Sequence, residues 1–467
     1  MSTQFHKCAE SFFGPALCLS RIRVDTTLVS QFNDFMNSNP SINNQSDVRN
    51  QSGSDGEPTE RRIRQISERL HEAIRSVTEQ IPGATRGAQQ FARQLKMHRT
   101  LAGRLLNALR SDDPLAAISR MPRSEGLRIF LNAAKGSASE ETIERAIKAL
   151  RELEDLVHGE LGGWDGFDAA VSEWLPDVRE KFEMANKQLA FKAISNIHGV
   201  RADVQLTTSI YYPDASGSLC DIAIIEGLSE LRRLRPGTQI AFAAFGANPN
   251  DPQPLVRPHQ AGVPAEQAVH PPLLPDFCSP RHPPVKTITC RGMTHYLLAG
   301  DEIGSASAVD VYTASVIRGV RPCFQPRTGP HMLVSGSTGA SVPVKTLLFN
   351  LLVHEDVWRG CDPELIIYDT HQYGFGSPND PTRDVDRLKV MELIQYLGKG
   401  ITRFRATEVG RHVEMVQHVC DLLGWDSDRL RGYRCRIEYP MLHAQYSMVF
   451  DPPPAPDDGQ SDGARHI

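Results

Sequence analysis

The sequence predicts an α+β multidomain protein in which an all-α N-terminal domain is followed by an α+β, largely antiparallel C-terminal region. Apolar residues recur at helical spacing from about residue 58 to residue 198, with short connections between the segments. Beyond Gly199 this pattern changes to β-branched and aromatic runs separated by turn residues. A length of 467 residues also exceeds one ordinary hydrophobic core, so we expect two or three domains.

Three segments are predicted to lie outside these domains. Residues 1–57 include a long stretch of Asn, Ser, Gln and Asp, and residues 452–467 are rich in Pro, Asp and Gly. Both are predicted to be disordered tails, because they have few apolar residues to bury. Residues 246–286 carry 11 prolines in 41 positions, which indicates an extended linker or a long surface loop.

The all-α domain is predicted over residues 58–198. Its first helix begins near Thr59, places its apolar residues on one stripe and ends at Pro82-Gly83. A later long helix opens at Ser137, which we predict as its N-cap because Glu140 follows three residues on. Further helices, besides the pair described below, are predicted over Glu125–Ala134, Phe167–Trp174 and Asp177–Ile197.

Strand patterns dominate the rest of the chain. Residues 204–212 and 219–225 form a predicted hairpin, which with residues 239–245 defines a β region over 199–245. An α+β C-terminal domain is predicted over 287–451, and the β region is a candidate to pack with it. The strands predicted in that domain are 307–317, 344–354, 364–369, 433–439 and 444–450, and its helices are 384–397 and 407–424.

The most informative segment runs from Phe91 to Leu106 and predicts a helix-turn-helix unit within the all-α domain, with two short helices joined by a tight turn. Small or apolar residues occupy the positions where the two helices would pack together: Phe91, Ala92, Leu95, Met97, Ala102 and Leu105. Polar or small residues occupy the positions that would face a DNA major groove: His98, Arg99, Thr100, Gly103, Arg104 and Asn107.

Charge and side-chain chemistry agree with a DNA interface at this segment. Residues 58–135 hold 15 Lys and Arg against 7 Asp and Glu, a balance of +8 in a chain of net charge −5. Such a basic segment attracts phosphates. Arginine can bond both acceptors of a guanine edge, which suits Arg99 and Arg104, and Asn107 can do the same for adenine. Gln89, near the start of the first helix, is predicted to hold a phosphate.

The turn and second helix of this unit resemble the recognition helix of lactose-repressor-type transcriptional regulators. The resemblance covers only residues 88–109, and the positions that carry it are Arg99, Thr100, Arg104, Leu106 and Asn107. Lys96 stands where those regulators usually have a turn glycine. The rest of the chain lacks the alternating βα pattern of their sugar-binding domain. The resemblance therefore implies a DNA-reading motif alone.

These observations predict a cytoplasmic DNA-binding transcriptional regulator, not an enzyme, that reads double-stranded DNA with a helix starting near His98. A dimer or other homo-oligomer is expected, because one such helix reads only a few base pairs. The C-terminal half is assigned to sensing a small-molecule effector, binding a partner or dimerisation. We predict no cofactor, no metal and no membrane association, since no run approaches the ~18 apolar residues that cross a bilayer. Nine scattered cysteines without a CxxC pair predict reduced thiols.

The helical pair and the C-terminal half each have an alternative interpretation. The helical pair can also be an ordinary hairpin in a bundle, with its arginines on a solvated face. The protein would then be an enzyme, housed in the C-terminal half, or an assembly protein, and its helical N-terminal domain would be only an interaction module. In that half, Ser335–Ser341 is interpreted as a surface turn, because its spacing to Lys345 does not fit a phosphate loop. Tyr368–Tyr373 could line a ligand pocket, whereas His412 and His418 lie six residues apart and do not share a helical face.

Overall fold

A computed structural model describes residues 56–82, 87–246, 252–255, 273–280, 284–290, 292–389 and 391–456 of the chain. The chain divides into two compact units, with the boundary between Asn186 and Lys187. Helices and sheets are both present, so the α+β class is confirmed. The predicted disordered tails, 1–57 and 452–467, lie outside the described residues except at 56–57 and 452–456.

The helical unit and the helix that contains the boundary are built from short connections between amphipathic helices. The helices are α1 (Gly56–Glu79), α2 (Ala88–Gln94), α3 (Arg99–Ala108), α4 (Pro114–Arg120), α5 (Ser124–Ala134), α6 (Glu140–Gly159), α7 (Trp164–Trp174) and α8 (Pro176–His198). α1 buries the apolar stripe expected from its sequence, including Ile63, Leu70 and Ile74, and it packs against α4 and α6. This stripe forms one side of the helical core, which the other helices of the unit complete.

Two N-caps determine where helices of this unit begin. The Asp113 carboxylate accepts a hydrogen bond from the backbone N–H of Leu115 at 2.9 Å, and Pro114 follows it as the first residue of α4. At α6 the predicted cap was wrong. Ser139, not Ser137, accepts from the Thr142 N–H at 3.3 Å. The reason is local, because the backbone N–H of Ser137 bonds back to Ala134 in the turn that ends α5.

The second unit is built around three sheets. Its strands are β1 (Val200–Pro213), β2 (Leu219–Arg233), β3 (Ile240–Gly246), β4 (Gln253–Pro254), β5 (Val285–Cys290), β6 (Met293–Leu298), β7 (Val309–Pro322), β8 (Val334–Gly339), β9 (Val344–His354), β10 (Glu364–Asp369), β11 (Ile394–Lys399), β12 (Leu430–Glu438) and β13 (Ala444–Phe450). The seven-stranded sheet has the order β11-β12-β9-β1-β2-β7-β4, and the two three-stranded sheets have the orders β10-β13-β8 and β3-β6-β5. Within the large sheet, β1 and β9 are parallel and the other neighbours are antiparallel.

The large sheet is covered on both faces. On one face Phe349 of β9 packs with Met448 and Phe450 of β13, so the two sheets form a sandwich. On the other face Leu348 and Leu352 pack against a helix, α9 (His412–Leu423). Alternate residues of β9 therefore enter different cores, as the period of a strand requires.

Two predictions in the C-terminal region were wrong. The described residues of 384–397 do not form a helix, because a 3-10 turn at Pro381–Asp386 is followed by the edge strand β11. Ser335–Ser341 is not a surface turn, because most of it belongs to β8, which pairs with β13. A Cβ atom at Gly336 would lie 2.7 Å from side-chain atoms of Leu351 and Tyr211, so a small residue lets the two sheets approach here.

The described parts of the Pro-rich segment 246–286 lie along the large sheet. β4 pairs with β7, and Leu274 is fully buried with its N–H bonded to the carbonyl of Tyr312. The start of the C-terminal tail is also bound, since the N–H of Gln325 donates to the carbonyl of Pro453 at 2.8 Å. Residues 452–456 are therefore attached to the fold rather than free of it.

Candidate nucleic-acid interface

The predicted pair of helices is present as α2, a four-residue turn Leu95–His98, and α3, which we call the helical hairpin. Lys96 adopts a positive φ of 50°, the left-handed conformation that the turn glycine of a helix-turn-helix usually supplies. The N–H of Met97 then donates to the carbonyl of Ala92 at 2.9 Å, which closes the turn onto α2. A residue with a Cβ therefore occupies this turn without altering its path.

The inner face of the helical hairpin is the one that the sequence predicts. Five of the six predicted residues are no more than 5% exposed: Phe91, Ala92, Leu95, Ala102 and Leu105. The sixth, Met97, is half-buried and packs against the same helical core. Phe91 contacts the ring of Phe130 at a centroid distance of 6.1 Å, which joins α2 to α5. The hairpin is thus an integral part of the helical unit.

The outer face of α3 carries most of the predicted site residues. His98, Arg99, Thr100, Arg104 and Asn107 are all exposed. His98 is the N-cap of α3, because its Nδ1 accepts from the backbone N–H of Thr100 at 3.3 Å. The Asn107 Oδ1 accepts from Arg110 at 3.2 Å, so a base contact by Asn107 would have to replace that bond.

Two predicted residues lie away from the centre of this face. Gln89 is exposed in the first turn of α2, on the other helix of the hairpin. Gly103 is half-buried, and a Cβ atom on it would lie 3.8 Å from the Cβ of Ala88. Gly103 therefore lies where α3 passes α2, at the rim of the exposed face.

The charge of the helical hairpin is uncompensated. From Gln80 to Ser111 the sequence contains no Asp or Glu, and its Lys and Arg residues are Arg86, Arg93, Lys96, Arg99, Arg104 and Arg110. Among the described residues, Arg93, Lys96, Arg99 and Arg104 are in no hydrogen bond or ion pair of their side chains, and all four are exposed. Four cations therefore face solvent without a neutralising partner.

Other arginines of the same unit behave differently. Arg62 pairs with Glu160 at 2.7 Å, Arg69 pairs with Glu152 at 3.0 Å, and Arg128 pairs with Glu154 at 2.6 Å. These pairs join separate helices on the surface of the bundle. Exposed cations without a partner also occur on α6, at Lys148 and Arg151. The hairpin differs because its own segment, from Gln80 to Ser111, contains no acidic residue.

Arg93 and Lys96 were not among the predicted site residues. Both lie beside the turn, Arg93 near the end of α2 and Lys96 in the turn itself. The signal that could have identified them is the acid-free run from Gln80 to Ser111, which is visible in the sequence. The absence of ion-pair partners is visible only in the fold.

A second concave surface lies in the sheet-containing unit. A shallow groove of about 620 Å³ separates the turn at Pro275–Phe277 from α9. The guanidinium of Arg411 lies 4.6 Å from the ring centroid of Phe277 and donates to the carbonyl of Asp276 at 2.5 Å. The groove is also lined by Glu414, Gln417, His418 and Asp421.

Two groups of this unit with large pKa changes, His412 and Glu226, do not line this groove. Burial lowers the pKa of His412 to about 4; its Nδ1 donates to the Phe404 carbonyl at 2.7 Å and its Nε2 contacts the Thr208 hydroxyl at 2.9 Å. Burial raises the pKa of Glu226, on β2, to about 7. The shifted groups and the groove thus do not converge on one catalytic cluster.

Within the described ranges, no group of three or more His, Cys, Asp or Glu side chains is arranged to hold a metal ion. No helix in the part of the chain that the structure describes is long and apolar enough to cross a bilayer. No protein-family model matches the chain, and neither a curated protein nor a solved structure matches it. The geometry and charge of the helical hairpin are therefore the features that indicate a function.

Proposed function

We propose that the protein is a cytoplasmic, sequence-specific DNA-binding regulator that inserts α3 into the major groove of double-stranded DNA. The observation that carries this proposal is the helical hairpin itself, where four exposed cations have no acidic partner. Its left-handed turn at Lys96 and its fully packed inner face support a helix-turn-helix unit. Phosphates would supply the charge that the protein itself leaves uncompensated.

The residues divide by the contact they would make. Arg99 and Arg104 lie five residues apart on α3, which is about 7.5 Å of helix rise. That distance is close to two base-pair steps of about 3.4 Å, so the two guanidinium groups can reach guanine edges of base pairs that are two steps apart. Thr100 and Asn107 would add base contacts, and Gly103 would permit close approach of the backbone.

Residues beside the turn would hold the sugar-phosphate backbone. Arg93 and Lys96 have flexible, exposed side chains on the hairpin outside α3. Gln89 and the N-cap His98 lie near the starts of α2 and α3 and would complete these contacts. Such contacts fix the register of α3 and strengthen binding to every sequence alike.

The rest of the chain would serve dimerisation and regulation. One α3 helix reads only a few base pairs, so two copies related by a two-fold axis would be needed for a useful site. The groove beside α9 is a candidate for a small-molecule effector because it combines an aromatic ring with charged groups. We assign no reaction to this unit.

The test is fluorescence anisotropy of the full-length chain with a labelled random-sequence duplex at low and at moderate salt. We expect binding in the micromolar range that weakens steeply as salt rises. The variant Arg99→Ala/Arg104→Ala should bind at least tenfold more weakly at low salt, because each lost guanidinium also removes attraction to the phosphates that flank the groove. Its matched control is Lys148→Ala/Arg151→Ala, which removes two exposed, unpaired cations from α6 of the same unit.

The outcome decides between two interpretations of the hairpin. Near wild-type affinity in the control, with a loss confined to the α3 variant, supports the interface. Equal losses in both variants would indicate attraction by net charge alone. A wild-type chain that binds no duplex at low salt would make the hairpin an ordinary element of a bundle.

A further inference from the structure

Two cysteines of the sheet-containing unit are in direct contact. The Sγ atoms of Cys220, near the start of β2, and Cys323, just after β7, lie 3.2 Å apart. The strands hold them there, because Leu219 pairs with Pro322 and the N–H of Cys323 donates to the carbonyl of Ser218 at 2.9 Å. The contact is therefore set by the backbone of two adjacent strands, not by mobile side chains.

The surroundings of the pair are rigid and apolar. Cys220 and Cys323 are 0% and 1% exposed and belong to the core between the two sheets of the sandwich. The indole N–H of Trp358 donates to the carbonyl of Pro322 at 3.0 Å, which anchors the residue before Cys323. An S–S bond measures about 2.05 Å, so its formation would move each sulfur by only about half an ångström.

The two thiols are not equivalent. The contact between the two sulfurs, in which either S–H can donate, lowers the pKa of Cys323. The same hydrogen bond and burial raise the pKa of Cys220. Cys323 is therefore the sulfur with more thiolate character, and a thiolate is the form that reacts with an oxidant.

No other two of the described cysteines have their sulfurs in contact with each other. Cys278, Cys290, Cys361, Cys420 and Cys435 are each free, and Cys420 and Cys435 are as deeply buried as the pair. Burial alone thus does not explain the 3.2 Å contact. These other cysteines provide internal controls for reactivity.

We propose that Cys220 and Cys323 are a thiol pair that a peroxide oxidises to an intramolecular disulfide. The Cys323 thiolate attacks one oxygen of hydrogen peroxide, the O–O bond breaks, and the released hydroxide takes a proton to leave as water. The sulfenic acid formed at Cys323 is then attacked by the Cys220 sulfur, an S–S bond forms, and a second water leaves. Two thiols are oxidised and one peroxide is reduced to two waters.

The bond would join parts of the chain that are distant in sequence. The two cysteines are 103 residues apart, and the segment between them includes most of β2 and all of β7. A link that closes such a long loop restricts the unfolded chain more than the folded one. Oxidation should therefore raise the melting temperature of the protein, and a dithiol reductant should reverse the change.

The test uses the native full-length protein treated with hydrogen peroxide, alkylated with iodoacetamide and digested without reduction for mass spectrometry. We expect a linked peptide pair that contains Cys220 and Cys323, lighter by two hydrogens than the separate thiol peptides. Cys435 should be recovered in alkylated form after denaturation. In the variant Cys323→Ser the linked species and the rise in melting temperature should both disappear, whereas Cys435→Ser should retain both.

The peptide map of the wild-type protein detects the disulfide directly, so it does not depend on whether a variant folds. Recovery of Cys220 and Cys323 as two alkylated thiols after peroxide treatment would overturn the proposal. Linkage of either cysteine to a different partner would overturn it as well, and so would sulfinic acid at Cys323 without any disulfide.

Discussion

Gly103 of α3 faces Ala88 of α2 across the helical hairpin, at a spacing where a methyl group on Gly103 would lie 3.8 Å from the Cβ of Ala88. That is an ordinary van der Waals distance, so the crossing has room for one more carbon. Gly126 of α5 is different, because a Cβ there would lie 2.7 Å from the Cβ of Pro122 and 2.9 Å from the Leu101 Cδ1. A methyl side chain therefore fits at Gly103 but not at Gly126.

Gly103→Ala should raise the free energy of unfolding by about 0.5–1 kcal/mol, because alanine is the better residue inside a helix and meets no clash. Gly126→Ala should lower it by about 1 kcal/mol or more, since overpacking against Pro122 outweighs the same gain. Urea unfolding of both variants checks this. A stability loss in Gly103→Ala would mean that α2 and α3 approach more closely than described.

Lys96→Gly should stabilise the helical hairpin by about 0.5–1 kcal/mol. The left-handed region that Lys96 occupies costs an L-residue about 1–2 kcal/mol, and glycine avoids this cost. Part of the gain is offset because glycine loses more backbone entropy on folding. Lys96→Ala is the control, because it removes the charge but keeps the Cβ. If the two variants melt at the same temperature, the turn does not adopt a positive φ in solution.

Ser139→Ala should lower the free energy of unfolding by about 1 kcal/mol, because Ser139 caps α6 through the N–H of Thr142. Ser137→Ala, two residues earlier, should change it by less than about 0.5 kcal/mol. Chemical denaturation of both variants separates the two serines. The opposite ranking would restore Ser137 as the helix cap.

Glu226 should make stability depend on pH. The raised pKa, about 7 against an ordinary 4.5, means that the folded state keeps a proton that the unfolded state has lost. The contribution of Glu226 to the free energy of unfolding is therefore fully present below about pH 4.5, and it is lost as the pH rises to about 7. The effect is on the order of 1–3 kcal/mol and is reduced by the partial exposure of the side chain.

The variant Glu226→Gln isolates this effect. Its stability advantage over the wild type should grow between about pH 4.5 and pH 7 and then stay constant. The contribution of His412, whose pKa is lowered to about 4, is present in both proteins and cancels in the difference. A constant difference across that range would show that Glu226 titrates normally.

Local patterns predicted the helical hairpin well because its helices and turn depend on neighbours in sequence. The stripe of α1 and the inner face of α2 and α3 follow from a period of 3.6 residues. The cap of α6 was misplaced by two residues, because serine is a good cap at either position and the hydrogen bonds that distinguish Ser137 from Ser139 are visible only in the fold. Such choices depend on single hydrogen bonds.

Strands that depend on distant partners were harder to predict. β8 has no aromatic residue, and two of its six residues are glycines. Gly336 is needed there because residues of another sheet, Leu351 and Tyr211, lie against it. β11 was taken for a helix because apolar residues at 393, 394 and 397 also fit a helical period. In the candidate site, residue types were visible in the sequence, whereas the lack of ion-pair partners for Arg93 and Lys96 required the fold.

Arg93 and Lys96 should contribute affinity without sequence preference if they contact phosphates. The plot of log affinity against log salt has a negative slope, and the variant Arg93→Ala/Lys96→Ala should make it shallower by about 2, one for each lost phosphate contact. Its ranking of duplexes obtained by selection for a preferred site should match that of the wild type. Arg99→Ala and Arg104→Ala should instead each cost about 1–3 kcal/mol on the preferred site and relax the preference at one base pair. Salt titrations of anisotropy on preferred and random duplexes measure both quantities, and a relaxed preference in the Arg93/Lys96 variant would assign those two side chains to the bases.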